Sequence, residues 1–96
     1  MKIIVAGDGE TGTHMARTLS VEGQDVVLMG SDREHLAELD AVGNFITFEG
    51  SPLSRSNLIQ CGADGADLFV AVTPDETSNL IACQLAKDCG TKKCVA

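Results

Sequence analysis

Near the start of the chain stands Gly7-Asp8-Gly9-Glu10-Thr11-Gly12, a GxGxxG run directly after a short apolar stretch, Lys2–Ala6. Glycines at that spacing suit one kind of chemistry, the cradling of a pyrophosphate by backbone N–H groups at the start of a helix. Gly7 allows a sharp turn, Gly9 keeps no side chain between phosphate and backbone, and Gly12 lets the helix pack closely on the strand. The amides near Glu10 and Thr11 then face the phosphates, with the positive end of the helix behind them. Asp8 and Glu10 put two carboxylates beside such a site, which does not help an anion, so a tight turn without a ligand stays open as a second reading. No Lys-Ser or Lys-Thr follows the loop, which disfavours phosphoryl transfer of the Walker type.

A dinucleotide site also asks for an acid at the end of the second strand, to accept hydrogen bonds from the adenosine ribose. Here that strand ends Val27-Leu28-Met29-Gly30, and Gly30 stands where the acid belongs. Three readings follow. Asp32 reaches the ribose from slightly further on; or Gly30 makes room for a 2′-phosphate held by Ser31 and Arg33, favouring NADP(H); or ribose selectivity is weak, admitting ATP or ADP. Asp32 also suits a plain helix cap, and Arg33 a solvated side chain.

Other chemistry finds little support. Hydride transfer to a substrate needs a general acid, yet the chain has no Tyr and His14 falls inside a predicted helix, so no catalytic residue is assigned. Cys61, Cys83, Cys89 and Cys94 form no CxxC pair, and His14 and His35 lie near none of them in sequence, so no metal ligands are assigned either. The cysteines read as reduced thiols of a cytosolic protein.

The elements that must position the glycine loop follow from hydrophobic periodicity and turn signals. Strands are expected at Lys2–Ala6, Asp25–Met29, Phe45–Phe48, Asp67–Val72 and from Lys93 to Ala96. Helices are expected from Glu10 to about Glu22, Arg33 to Val42, Pro52 to about Cys61 and Asp75 to about Asp88. Pro52 suits a first helical position, and Leu80, Ile81, Leu85 and Ala86 are the candidate buried positions of the last helix. This alternation predicts a Rossmann-like doubly wound α/β fold, three layers α/β/α around a parallel sheet of order 3-2-1-4-5, cut short before a sixth strand. Residues 1–96 are expected to form one domain, and the ending inside a strand suggests a piece of a longer protein. Residues are 44% hydrophobic, enough for a packed core, and the aromatics are few, Phe45, Phe48 and Phe69. The net charge of −7 argues against nucleic acid and anionic membrane surfaces as partners, and Ile3–Ala6 is far too short to insert in a membrane.

The run Ala63-Asp64-Gly65-Ala66-Asp67-Leu68-Phe69-Val70-Ala71-Val72-Thr73-Pro74-Asp75-Glu76-Thr77-Ser78-Asn79-Leu80-Ile81-Ala82-Cys83 resembles the N-terminal nucleotide-binding domain of Trk potassium-uptake regulators, the TrkA-N family, also called RCK or KTN domains. The resemblance extends from Met1-Lys2-Ile3-Ile4-Val5 through the three glycines to the last strand. It implies a cytoplasmic, non-enzymatic regulator, peripheral to the inner face of the membrane, that controls a potassium transporter or channel subunit. Such domains bind NAD(H) or adenine nucleotides above the carboxyl ends of the strands, and assemble as homodimers or larger rings. Carried over by position, Gly7, Gly9, Glu10, Thr11 and Gly12 form the phosphate loop, and Ser31, Asp32 and Arg33 lie near the ribose. Ser51 lies near the adenine, and Thr73, Asp75 and Glu76 lie across the cleft. The chain departs from the family pattern at Gly30 and at Ser51, where the family usually has acids, and the resemblance covers the N-terminal domain of that pattern, not its C-terminal regulatory domain. Two rival functions remain, a small NAD(P)-dependent oxidoreductase domain and a ligand-free structural module.

Overall fold

Ile3, Ile4, Val5 and Ala6 are all fully buried, which a strand achieves only when both faces of its sheet are covered. The computed structural model describes residues 1–96, the side chain of Val42 apart, and shows how the covering is done. The chain runs β1 (Lys2–Ala6), α1 (Glu10–Val21), β2 (Asp25–Gly30), α2 (Arg33–Val42), β3 (Ile46–Glu49) and α3 (Arg55–Gln60). A 3₁₀ turn at Ala63–Gly65 follows, then β4 (Leu68–Ala71), α4 (Glu76–Cys89) and β5 (Lys93–Val95). The sheet is parallel throughout, in the order β3-β2-β1-β4-β5. The fold is therefore the Rossmann-like arrangement that the alternation predicts.

Alternation along the strands divides the core into two layers. On one face Ile3, Val5, Val26 and Leu28 pack with Ala16 of α1 and with Leu36 and Leu39 of α2. On the other, Ile4, Ala6, Val27, Met29, Phe69 and Ala71 pack with Leu58 of α3 and with Ala82 and Ala86 of α4. Phe69 sits opposite Ile4 on one side and Cys94 on the other, so it bridges the strands at the centre of the second layer. Cys61 joins this layer, and burial pushes its thiol up to about 11. All four cysteines are free thiols.

Three expectations need correction. α3 begins at Arg55, not Pro52, because Ser54 caps it by accepting from the Asn57 amide at 3.2 Å. Pro52 instead occupies the second place of a turn closed by the Ser54 amide on the Ser51 carbonyl, 3.3 Å, a position its fixed φ favours. β3 is shifted one residue, to Ile46–Glu49, while Phe45 stays outside it and packs on the α1–α2 layer. The third correction concerns α4. Leu80 and Ile81 are 65% and 48% exposed, and the buried stripe is Asn79, Ala82 and Ala86, with Cys83 and Leu85 half-buried. Small residues let the helix lie close to β4, and the larger apolar side chains turn outward.

Phe69→Ala removes the largest fully buried side chain and is expected to cost about 3–5 kcal/mol. Ile81→Ser, on the outward side of α4, should stay within about 0.5 kcal/mol. Urea unfolding of the two variants measures both.

Candidate functional site

Three backbone hydrogen bonds carry the ladders past the strand ends and gather the loops. The Gly7 amide donates to the Met29 carbonyl at 2.9 Å, the Val72 amide to Ala6 at 2.8 Å, and the Gly50 amide to Gly30 at 2.9 Å. The glycine loop thus stands between β2 and β4, where the strand order reverses. Crevices at such switch points are where open α/β sheets take their ligands.

The three glycines of the loop differ in what holds them. Gly7 has φ of +135°, and a Cβ there would lie 2.8 Å from the Val72 carbonyl oxygen. A Cβ on Gly12 would run into the carbonyl oxygen of Gly7. Both glycines are demanded by the fold itself. Gly9 is not: its φ is −73°, and a Cβ there would meet nothing within 4 Å. The space above Gly9 is open, and Gly9 is also the N-cap of α1, with no side-chain hydrogen bond at that cap. The other α-helices are capped by side chains, α2 by Asp32, α3 by Ser54 and α4 by Asp75. The first amides of α1 are left facing outward.

Thr13 lies under the loop, 6% exposed. Its hydroxyl donates to the Asp8 carbonyl at 3.2 Å and lies 3.1 Å from Nε2 of His35 on α2. With its single proton on Asp8, Thr13 accepts from His35, which places a proton on Nε2. Neither residue announces this role in the sequence, because the contact joins two helices.

Beside the loop, Gly30 ends β2. Oδ2 of Asp8 accepts from the amides of Ser31 at 3.1 Å and Asp32 at 2.9 Å. Asp8 is therefore turned sideways onto the β2–α2 turn. Asp32 itself accepts from the His35 amide at 3.2 Å, so the cap falls on Asp32 and not Ser31. Arg33 pairs with Glu49 at the end of β3, 2.9 Å apart and well exposed. Glu10 is exposed in the first turn of α1, where a carboxylate suits the helix dipole.

Across the loop, Asn79 clamps the β4–α4 connection. Its Oδ1 accepts from the Thr73 amide at 3.0 Å and its Nδ2 donates to the Thr73 carbonyl at 3.0 Å. Asp75 caps α4 by accepting from the amides of Thr77 at 3.0 Å and Ser78 at 3.2 Å. Those bonds, the one from Ser78 first, hold its carboxyl below the ordinary 3.8. Glu76 is exposed in the first turn of α4. Ser51 sits further out, in the turn after β3, where its hydroxyl accepts from the Leu53 amide at 3.1 Å. A groove of about 1140 Å³ opens at Asp8, Gly9, Glu10, Thr11, Thr13 and His35, then runs down the flank of α1 as far as Glu22. Only its upper end belongs to the loop site: of the expected binding residues Gly9, Glu10 and Thr11 line it, whereas Ser31, Asp32, Arg33, Ser51, Thr73, Asp75 and Glu76 lie outside its lining.

A parallel five-stranded sheet with a glycine loop at its switch point defines a Rossmann-like domain. Residues 3–96 match the TrkA-N domain, and the chain belongs to that family. It is 39% identical over 85 residues to the Trk system potassium uptake protein TrkA of Haemophilus influenzae, covering 88% of this chain and 19% of that protein. It is 35% identical over 92 residues to the TrkA homolog of Pyrococcus abyssi, covering 96% of this chain and 40% of that protein. The chain thus spans well under half the length of these relatives. Among solved structures, the AMP-bound form of the Kef CTD of Shewanella denitrificans superposes with a TM-score of 0.83 at 21% identity, over 99% of this chain and 57% of that one. The NAD(P)-binding domain of an exopolyphosphatase-related protein from Archaeoglobus fulgidus gives 0.82 at 19% identity, over 97% and 70%. At those identities the likeness is one of fold.

One prediction concerns the wall of the site, and a second the carboxylates held by hydrogen bonds at the two ends of the sheet. Asn79→Ala leaves the Thr73 amide and carbonyl without their partner and is expected to cost about 1–3 kcal/mol, read as a lowered urea midpoint. The second concerns acid. Asp67 accepts from the Lys2 amide and then from Lys92, which hold it, like Asp75, below the ordinary value of 3.8. Each carboxylate takes its proton less readily folded than unfolded, so its stabilisation is complete above that value and is lost as pH falls through the lower folded one. The urea midpoint should therefore fall in acid, and Asp67→Asn combined with Asp75→Asn should flatten that fall.

Proposed function

We propose that this chain is a nucleotide-binding regulatory domain, with NAD(H) as its ligand, acting at the cytoplasmic face of the membrane on a potassium transporter or channel subunit. One observation carries the nucleotide reading: Gly9 is a glycine that neither packing nor backbone conformation requires. A phosphate approaching the uncapped start of α1 explains it. The membership in the TrkA-N family and the relatives named as potassium uptake proteins support the regulatory part. The AMP-bound and NAD(P)-binding neighbours support a nucleotide in this fold.

Gly7, Gly9, Glu10, Thr11 and Gly12 would hold the phosphates through their backbone. Ser31, Asp32 and Arg33 would border the adenosine ribose, Ser51 would lie towards the adenine, and Thr73, Asp75 and Glu76 would form the opposite wall. NADP(H), ATP and ADP are the competing ligands. We read the chain as a binding module, not an enzyme: nicotinamide, when present, would supply its redox chemistry only to a substrate site, and no residue here is assigned to one. Among the described residues no helix is long and apolar enough to cross a membrane, so the transporter contact is taken to be peripheral. A homodimer or larger ring is proposed from the family, and the exposed Leu80 and Ile81 on α4 offer apolar surface for it.

Titration calorimetry with NADH, NAD, NADPH, ATP and ADP tests the reading. Binding with a Kd on the order of micromolar is expected for NADH. Gly9→Asp should abolish it with the melting temperature kept, whereas Gly12→Val should unfold the chain. A folded chain that binds none of the five would overturn the nucleotide reading and leave a structural module.

A further inference from the structure

The position that reads the ribose in a dinucleotide fold is the C-terminal end of β2, where a carboxylate accepts from the 2′-hydroxyl. This chain has Gly30 there, yet the place is not vacant of a carboxylate. A Cβ on Gly30 would collide with Cβ, Cγ and Oδ2 of Asp8. The acid rooted on the glycine loop fills the space that the Cβ of an acid rooted on β2 would need. It is held there by the amides of Ser31 and Asp32, at 3.1 and 2.9 Å on Oδ2. Oδ1 has no hydrogen bond among the described residues, and Asp8 lines the groove beside Gly9, Thr13 and His35.

Resting on the nucleotide reading above, we infer that Asp8 is the ribose-recognising carboxylate of this chain, and that Gly30 is glycine because Asp8 needs its space. The two residues form one device, with the acid moved from strand to loop. Oδ2 is fixed by backbone, and Oδ1 accepts from a ribose hydroxyl. An esterified 2′-position reverses the sign of that contact, because a phosphate dianion then faces a carboxylate. Arg33, the cation next to this turn, is already paired with Glu49 at 2.9 Å. The site thus takes nucleotides with a free 2′-hydroxyl, NAD(H) or an adenosine phosphate, and excludes NADP(H).

Calorimetry of the full chain with NADH and NADPH tests this, as do ADP and 2′-deoxy-ADP. The unaltered chain should prefer NADH to NADPH, and ADP to its 2′-deoxy form, by about tenfold or more, the worth of one charge-assisted hydrogen bond. Asp8→Asn, which keeps an oxygen for the turn amides, should remove most of both preferences. Gly30→Asp alone should weaken binding by crowding Asp8, and Asp8→Ala with Gly30→Asp should restore the preference from the strand side. A purely structural carboxylate behaves differently: Asp8→Asn would then weaken all four ligands alike with the ratios kept, and that result overturns the inference while sparing the nucleotide reading. Binding of NADPH as tight as NADH by the unaltered chain overturns it too. A folded chain that binds none of the four removes the inference together with the reading beneath it.

Discussion

The first turn of α1 and the end of β1 touch backbone to backbone. At Gly12 there is no room for even a Cβ beside the Gly7 carbonyl, and at Gly7 none beside Val72. This contact fixes where α1 points. With β1 in the centre of the sheet and hydrogen-bonded to both β2 and β4, the start of α1 is aimed at the one place where the loops after β1, β2 and β4 meet. The neighbouring pieces hang from that placement. Thr13, next to Gly12, ties the loop to α2 through His35, and Asp8 ties it to the turn after β2. Asn79 holds the third loop at its own Thr73. Loosening the Gly7–Gly12 contact would move every one of these groups, which is why overpacking here costs more than its few atoms suggest.

Much of this architecture is legible in the amino-acid order, for a physical reason. Runs such as Ile3–Ala6 and Val26–Met29 are apolar on both faces, and only a covered parallel sheet wants that. The glycine spacing marks the central turn, and Asp32 and Asp75 are local caps whose targets lie two or three residues away. What stays hidden is set by packing or by distant partners. The stripe of α4 misleads because hydrophobicity favours Leu80 and Ile81, whereas the helix approaches β4 through Ala82 and Ala86. Pro52 is consistent with a helix start and with a turn, and the Ser54 cap decides between them. Asp8 is the sharpest case. In sequence it is an acid spoiling a phosphate loop, and its hydrogen-bond partners show only across the 23 and 24 residues that separate it from Ser31 and Asp32.

The acidity of the chain bears on the same point. A net charge of −7 sets a general field against anions, and the proposed nucleotide would have to bind in spite of it. Yet the acids nearest the candidate site, Glu10 apart, are held by backbone amides, even where, as at Asp8, they line the groove. Asp8, Asp32 and Asp75 each accept from backbone amides at a turn or a helix start. Each neutralises donors that would otherwise attract an anion, so the β2–α2 turn and the start of α4 are already satisfied. α1 is the helix whose first amides meet no side-chain acceptor. The carboxylates therefore do two things at once. They close the competing donor sites around the cleft, and they leave one uncapped helix start at the sheet's switch point, so that a phosphate entering the crevice finds its hydrogen bonds in a single place.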